Sequence, residues 1–173
     1  MFDRLVEKFL EFLDLFRFFE VVNEYEVAVL LRFGAFWKVL EPGRIHFRAP
    51  FGIDSVLTDI GVPTAYNLPE QVVTLRCGAT ICVTPVVTTR INDVQRYFLD
   101  VENPESALAD AAGGTIRQVL TGMDYAEARS EYVTEALTKA VRKSAWRWGM
   151  EVMSVQLSDL AKVRAYRIYG SAA

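Results

Sequence analysis

The feature that most constrains this chain is a change in hydrophobic periodicity near residue 92. Residues 24–91 contain short Val- and Leu-rich runs separated by turns, a pattern typical of β-strands. Residues 92–148 instead space their apolar side chains about 3.6 residues apart, as amphipathic helices do. The apolar run Glu151–Leu157 then predicts a closing strand. Strands followed by helices and a final strand predict an α+β domain, with antiparallel strands preceding the helices.

The strand region is divided by recognisable turns. Glu41-Pro42-Gly43-Arg44 has the Pro and Gly of a type II turn, and Arg76-Cys77-Gly78 predicts another turn. Pro85 cannot donate to a ladder, so we expect an edge, a bulge or a break where it lies. The predicted strands are Glu26–Phe33, Phe36–Leu40, Ile45–Phe47, Asp54–Ile60, Val62–Leu68, Gln71–Leu75 and Ala79–Ile91.

Capping signals place the helices. Asn103-Pro104 predicts the start of a helix that runs to Leu120, because Asn caps helices and Pro suits their first position. Asp124 predicts the cap of a longer helix, Tyr125–Trp148, which Gly149 would end. Its end carries Trp146-Arg147-Trp148, a cluster interpreted either as a helix cap or as a contact with a neighbour. Shorter helical segments are predicted at Asn92–Leu99 and from Ser158 towards Gly170.

The first twenty residues form a separate segment. They hold six of the eleven phenylalanines together with eight charged residues, which is too many charges for a membrane span or a secretory signal. At about 100° per residue the apolar side chains share one face and most charged side chains the opposite face. We therefore predict an amphipathic helix over residues 1–20. Its predicted membrane-binding residues are Phe2, Leu5, Phe9, Phe12, Leu13, Phe16 and Phe19.

An isolated helix of this length is marginal in water and needs a surface to lie on. That surface is the protein's own core, a bilayer interface, or a partner such as a neighbouring subunit. The Phe-rich face favours a bilayer, since full burial of one Phe contributes about 1.5–3 kcal/mol. Five acids and three bases give residues 1–20 a net charge of −2, so binding would depend on insertion rather than on attraction to anionic lipid.

Composition excludes several functional classes. One His and two Cys are too few for a zinc ribbon, a four-cysteine cluster or a disulfide framework, and no phosphate-binding Gly-rich loop is present. With 19 basic and 22 acidic residues and no basic run, nucleic-acid binding is not expected. His46, Cys77 and Cys82 are interpreted as structural residues. We expect no catalytic residue, no cofactor and no metal.

Several motifs occur in a familiar order. Arg32-Phe33-Gly34, the segment Leu40-x-Pro42-Gly43-x-x-His46-Phe47 and Pro50-Phe51 resemble the opening of the SPFH domain of the stomatin/prohibitin/flotillin/HflK–HflC (band 7) superfamily. Ile116–Met123, Trp148–Val152 and Val155–Asp159 resemble its later helices and closing strand. The resemblance covers residues 21–160. Together with the predicted amphipathic helix over residues 1–20, where the family places its membrane segment, the resemblance gives an SPFH-like domain over residues 21–160 and a short tail over residues 161–173.

The resemblance implies a non-enzymatic, membrane-associated scaffold. Such a protein would be peripheral, with the cytoplasmic face favoured and the side of the membrane left open, and would form homo-oligomers as a ring or lateral array. It would bind membrane lipid, organise the membrane or regulate an integral membrane protein client, and bind no nucleic acid. The alternative is a soluble structural or assembly subunit, for example of a phage or protein shell, whose N-terminal helix docks onto a neighbouring subunit.

Two departures from the family pattern qualify this interpretation. The long C-terminal coiled coil usual in the family is lacking, because residues 161–173 carry no sustained heptad. Large closed cages that depend on that coil are therefore not expected, and the chain is either a minimal member or part of a longer one. Arg76-Cys77-Gly78 and Pro85 also depart from the family pattern, which indicates a divergent member.

Overall fold

A computed structural model describes residues 18–163, so all but the last three residues of the predicted N-terminal helix lie outside the described residues. Within this range strands precede helices and a last strand closes the order, which confirms the α+β class. The elements are β1 Phe19–Val22, β2 Glu26–Arg32, β3 Ala35–Leu40, β4 Arg44–Phe47, β5 Asp54–Ile60, β6 Thr64–Asn67, β7 Gln71–Thr74, β8 Thr80–Ile91, α1 Val94–Leu99, α2 Pro104–Thr121, α3 Tyr125–Ala128, α4 Tyr132–Ala145, a 3-10 turn Trp146–Trp148, and β9 Met150–Val163.

The chain divides into two compact units. In the described range, unit 1 comprises residues 18–62 with Ile91–Glu102, and unit 2 comprises Pro63–Arg90 with residues 103–163. The first unit therefore holds β1 to β5 and α1. The second holds β6 and β7, nearly all of β8, the remaining helices and β9.

Unit 1 is built around β2. This strand pairs antiparallel with β3 on one side and with β5 on the other. Ala28, Val29 and Leu30 are all fully buried, so both faces of the strand are covered. On one face Ala28 and Leu30 form a small core with Val22 of β1 and with Leu40. Helix α1 also packs against β2, and strands β1 and β4 form a separate antiparallel pair.

Strand β1 corrects the predicted extent of the N-terminal helix. Phe19 was expected on the apolar face of that helix, but it opens β1 and pairs directly with Phe47 of β4. The β-branched Val21 and Val22 favour an extended chain, and cross-strand pairs stabilise it. The strand-forming domain therefore begins at Phe19 rather than at residue 21.

Unit 2 is a four-stranded sheet in which β8 is the long central strand. Strands β6 and β7 both pair antiparallel with it, through Asn67↔Val86 and Gln71↔Val83, so the register shifts by one residue between them. The amide of Leu68, in the break, donates to the carbonyl of Pro85 at 2.9 Å. Pro85 thus lies opposite the break between β6 and β7. A residue without an N–H is tolerated there, because the ladder is interrupted at that point.

Helix α4 covers strand β9. The amide of Val155 donates to the Thr138 hydroxyl at 2.9 Å, and Arg142 Nε donates to the carbonyl of Val152 at 3.2 Å. Arg90 contacts Glu151 and Ser158 contacts the carbonyl of Thr84, so β9 runs antiparallel to β8. Side chains of α4 therefore form hydrogen bonds with main-chain groups of β9, which lies at the edge of the sheet.

The helices confirm some predictions and correct others. The Asn103 side chain accepts from the amide of Ser106 at 3.0 Å, so α2 begins as predicted, and Gly149 (φ 71°) ends the last helical turn as predicted. The helix expected over Tyr125–Trp148 is instead interrupted between α3 and α4. There the Ser130 hydroxyl donates to the carbonyl of Glu127 at 2.7 Å and competes with helical bonding.

The C-terminal prediction was also wrong in part. The helix expected from Ser158 is replaced by the continuation of β9 to Val163. Pairing with the twelve-residue β8 overrides the weak local helical pattern. Residues 161–163, assigned to the tail from sequence, therefore belong to the last strand.

Candidate functional site

Exposed apolar side chains are concentrated in unit 1. Of the twenty large hydrophobic residues that are exposed within residues 18–163, fifteen belong to this unit, although it contains fewer of the described residues. Contiguous exposed apolar patches on a protein usually mark a binding surface for a protein or a membrane. We therefore take the apolar surface of unit 1 as the candidate site.

The β1–β4 pair contributes the first part of this surface. Phe19 pairs with Phe47 and Val21 pairs with Ile45, and all four side chains are more than half exposed. Val22 lies in the core, and side chains alternate along a strand, so these four share the side that faces away from the core. We call Phe19, Val21, Ile45 and Phe47 the outer face. An exposed strand face is ordinarily polar, whereas this one is wholly apolar.

Two turns contribute the second part. Phe33 and Gly34 connect β2 to β3 as a two-residue turn with φ values of 52° and 78°. Phe51 and Gly52 have φ values of 63° and 73°. A bulky residue at positive φ is uncommon and strained, yet both Phe side chains are also exposed, at 79% and 60%. Backbone preference accounts for a Phe at neither position, and the side chain of Phe33, which is the more exposed of the two, gains little from packing, which points to a function outside the folded chain.

A β-bulge adds Trp37 to this surface. Leu30 pairs with Lys38 and Leu31 pairs with Phe36, so Trp37 is the extra residue on β3. The guanidinium of Arg32 lies 4.5 Å from the centre of the Trp37 ring, which is a cation–π contact. We call Phe33, Trp37 and Phe51 the aromatic tip.

An ion pair joins the bases of the two turns. Arg32 donates to the two carboxylate oxygens of Asp54 at 2.8 and 3.0 Å, and the amide of Ala49 donates to Asp54 at 2.8 Å. The amide of Phe33 donates to the carbonyl of Ile53 at 2.8 Å. The hydrogen bonds from Arg32 are the main cause that holds the pKa of the buried Asp54 below its usual value. This pair fixes the Phe33 turn against the segment that holds Phe51.

The described chain enters unit 1 at the same end. The carbonyl of Phe18 accepts from the amide of Arg48 at 2.9 Å, and the next residue, Ala49, is bound to Asp54. The rings of Phe18 and Phe47 stack with centres 6.4 Å apart. The described chain therefore begins, at Phe18, beside the aromatic tip and the outer face.

One of the predicted membrane-binding residues belongs to the exposed apolar surface of unit 1. Phe19 lies on the outer face, whereas Phe2, Leu5, Phe9, Phe12, Leu13 and Phe16 lie outside the described residues. The other residues of the outer face and the aromatic tip were not predicted as binding residues. The sequence held one weak indication of the aromatic tip, since Phe33 and Phe51 each precede a Gly in a turn. Their exposure and positive φ values cannot be predicted from the sequence.

The residues capable of chemistry are separated and structurally engaged. In unit 1, His46 Nε2 lies 2.8 Å from the carbonyl oxygen of Glu41 and closes a turn. In unit 2, the Cys82 thiol donates to Glu70, which raises the pKa of the thiol. Cys77 is exposed, and hydrogen bonds from the amides of Ala79 and Tyr125 lower its pKa.

The described part of the chain holds neither a cluster of metal-ligand side chains nor a helix that could cross a membrane. Between residues 18 and 163, no three or more His, Cys, Asp or Glu side chains are grouped so that they could hold a metal ion. Over the same residues, every helix is too short or too polar to cross a bilayer.

Comparisons with known proteins agree on one family. The model of the SPFH domain / Band 7 family matches residues 20–166. An uncharacterized protein of Methanocaldococcus jannaschii is 28% identical over 142 residues, which cover 81% of this chain and 70% of that protein. Stomatin-like protein stl-1 of Caenorhabditis elegans is 27% identical over 146 residues, covering 80% and 43%. Human stomatin-like protein 2, mitochondrial, has the same identity, covering 80% of this chain and 39% of its own length.

Proposed function

The chain belongs to the SPFH domain / Band 7 family, and from that premise we propose that it is a membrane-associated scaffold that binds a bilayer through the apolar end of unit 1. The stomatin-like names of several relatives support the proposal, although the chain spans only 39% to 43% of two of them. The observation that carries it is the position of the aromatic tip. Phe33 and Phe51 project from adjacent turns beside the point where residues 1–17 join unit 1.

Insertion supplies the free energy of binding in this proposal. Each fully buried Phe contributes up to about 1.5–3 kcal/mol, so removal of one side chain is worth about tenfold or more in binding. Trp37 suits the boundary between headgroups and hydrocarbon, where Trp is enriched in membrane proteins. The part of the predicted helix that lies within residues 1–17 would lie in the same interface and extend the contact.

Flotation with phosphatidylcholine vesicles tests membrane binding. The double variant Phe33→Asn/Phe51→Asn removes both side chains at positions where Asn tolerates the positive φ, so the fold is retained. We expect it to bind vesicles at least tenfold more weakly than the wild type. The control is Tyr132→Gln, which removes an aromatic side chain that is 69% exposed in unit 2. Equal flotation of the wild type and the double variant would contradict the role of the aromatic tip.

A variant in residues 1–17 tests the predicted helix separately. Phe9→Glu/Phe16→Glu places two charges on its apolar face, and we expect binding to fall. If the wild type itself stays in the soluble fraction together with both double variants, the membrane proposal is wrong.

We further propose that copies assemble side by side on the membrane. The wholly apolar outer face supports lateral association, because any part of it that lipid does not cover would bury area against a neighbouring copy. Electron microscopy of the purified protein with and without vesicles tests this. Rings or arrays confined to vesicle surfaces are expected, and dispersed single particles on vesicles would contradict assembly.

The second candidate is a soluble assembly subunit. The same outer face favours it, since an apolar strand pair suits a protein partner as well as a bilayer. It predicts concentration-dependent oligomers without lipid that disappear when residues 1–17 are deleted. Light scattering without lipid on the wild type and on the chain lacking residues 1–17 distinguishes the two candidates. The membrane scaffold requires vesicles for assembly, so it predicts no oligomers in either sample.

The proposal includes no catalytic step. His46 closes a turn in unit 1, and Cys77 lies in a turn of unit 2 with no described His beside it in that unit. The Cys77→Ser variant should therefore bind vesicles like the wild type. Labelling of Cys77 with an electrophile at neutral pH should proceed at the rate of an exposed thiol with a slightly favoured thiolate.

A further inference from the structure

The Trp146-Arg147-Trp148 turn lines a cavity that the membrane proposal does not use. The cavity measures about 300 Å³ and lies in unit 2 between α2 and the end of α4. Its lining is Ala111 of α2, Lys143 and Ser144 of α4, and Arg147 and Trp148 of the following turn. A volume of this size is at the lower end of small-molecule sites.

The charge of this cavity is unbalanced. Lys143 and Arg147 lie four positions apart, on the same side of the helical segment, and neither forms an ion pair with any residue of the range 18–163. Like charges at this spacing repel each other, so placing both cations here has a small cost unless an anion lies between them. The end of a helix favours cations, but that alone does not explain why a concave surface gathers two of them.

Other cavities of unit 2 differ in this respect. One includes Glu131, a second includes Glu131 with Glu135, and a third includes Asp110 beside Arg117. In contrast to these three cavities, the one at Lys143 and Arg147 combines two cations with no carboxylate. The chemistry of the cavity therefore indicates an anion as the ligand of Lys143 and Arg147.

We propose that this cavity binds a phosphate monoester. A phosphate monoester carries a charge of about −1.5 to −2 at neutral pH, which matches the two cations. The Arg147 guanidinium can donate two parallel hydrogen bonds, the Lys143 ammonium adds a point charge, and the Ser144 hydroxyl lines the same cavity. The Trp148 indole forms an apolar wall for the organic group that the phosphate carries. Such a phosphate is either a free metabolite or the headgroup of a lipid.

Titration calorimetry on the full chain tests the proposal with two soluble probes, inorganic phosphate and glycerol 3-phosphate. We expect saturable binding with one site per chain. Arg147→Gln and Lys143→Gln should each weaken it by about tenfold, since each removes a charge-assisted contact. Trp148→Leu should weaken binding of glycerol 3-phosphate more than that of inorganic phosphate.

Lys139→Gln is the matched control. Lys139 lies one turn before Lys143 on α4, has no described ion-pair partner, and lines a different cavity. It should change binding less than twofold. If it weakens binding as much as Lys143→Gln, the effect is one of net charge and the proposal fails. If Lys143→Gln lowers the Tm, the charge-conserving Lys143→Arg should restore both the Tm and phosphate binding.

Vesicles distinguish the two sources of the phosphate. Phosphatidic acid presents a monoester and phosphatidylglycerol a diester, so a lipid ligand predicts stronger flotation with phosphatidic acid that Lys143→Gln/Arg147→Gln abolishes. Binding of glycerol 3-phosphate without that lipid preference indicates a free metabolite. If neither the soluble probes nor phosphatidic acid distinguishes the wild type from the double variant, the proposal is overturned. The Phe33→Asn/Phe51→Asn variant should retain phosphate binding in solution, so this test is independent of the membrane proposal.

Discussion

At the scale of single residues, Asp54 organises the candidate membrane surface. Its carboxylate accepts from Arg32 and from the amide of Ala49, and its side chain is buried. Arg32 in turn stacks on Trp37 of the aromatic tip. A change at Asp54 should therefore affect stability and membrane binding together.

Asp54→Asn should lower the Tm by about 5 °C and weaken vesicle binding. The amide cannot accept both guanidinium hydrogen bonds, so Arg32 loses its charged partner and the two turns keep only the main-chain bond from Phe33 to Ile53. Thermal unfolding followed by circular dichroism, together with flotation, measures both effects. Asp93→Asn is the control, because Asn caps α1 as well as Asp does and its pair with Arg96 is exposed. An unchanged Tm in Asp54→Asn would show that the pair does not hold the turns.

The low pKa of Asp54 also predicts a pH dependence. Its hydrogen bonds with Arg32 lower the pKa in the folded state, so the unfolded chain takes up the proton more readily. The stabilisation is therefore present above the unfolded value of about 3.9 and is lost as the pH falls through the folded value below it. Tm measured from pH 6 down to pH 2.5 should fall more steeply in the wild type than in Asp54→Asn. Parallel curves would contradict this.

Phe33 illustrates a conflict between stability and the proposed function. Phe33→Asn should raise the free energy of unfolding by about 0.5–1 kcal/mol, because Asn before Gly34 suits the positive φ of a two-residue turn. Phe33→Val, with a β-branched side chain at the same φ, should lower it. Denaturant unfolding of both variants measures the difference. A loss of stability in Phe33→Asn would mean that the Phe33 side chain packs on the protein itself.

At the scale of elements, local signals predicted some segments and non-local pairing decided others. Helix α2 follows from Asn103 and Pro104, and β5 was predicted with its observed bounds, Asp54–Ile60. Strand β1 was missed, because the residues that it pairs with are distant in sequence. Phe19 pairs with Phe47, which lies 28 positions further along the chain. Likewise, β9 extends to Val163 because β8 is long enough to pair with it, a property of another part of the sequence.

The cover that α4 provides for β9 gives a prediction at the same scale. Thr138→Val removes the hydroxyl that accepts from the amide of Val155 and leaves that part-buried amide without a described partner. We expect a loss of about 1–3 kcal/mol in the free energy of unfolding, with faster aggregation as β9 is exposed. Thr134→Val, one turn earlier on the same helix, is the control. Denaturant unfolding and light scattering measure the two effects, and equal losses in both variants would contradict the capping role.

At the scale of the whole molecule, the family and the α+β class could be predicted, but the binding surface largely could not. The motif order around Arg32-Phe33-Gly34 was sufficient for the family. Which residues form the outer face depends on which side of β1 packs against the core. That side is set by Val22, which packs with residues of three other strands. The aromatic tip depends on backbone conformation at Phe33 and Phe51, which composition does not report.

The charge of the whole chain predicts how membrane binding responds to salt. The net charge is −3, and residues 1–17 carry four acids and three bases, so attraction to anionic lipid contributes little. Flotation with phosphatidylcholine vesicles, with or without phosphatidylglycerol, should change less than twofold between about 50 and 500 mM salt, since screening weakens only Coulomb terms. A tenfold loss at high salt would show that charge, not insertion, provides the affinity.

The ion pair at the base of the aromatic tip has a geometric consequence for a bilayer-bound chain. Because Arg32 and Asp54 join the two turns, Phe33 and Phe51 would enter the hydrocarbon together rather than independently. Deeper penetration would also remove the partly exposed guanidinium of Arg32 from water, which is costly for a charged group in hydrocarbon. The ion pair would therefore limit the depth of insertion, and two joined points of contact would restrict how unit 1 tilts against the membrane plane.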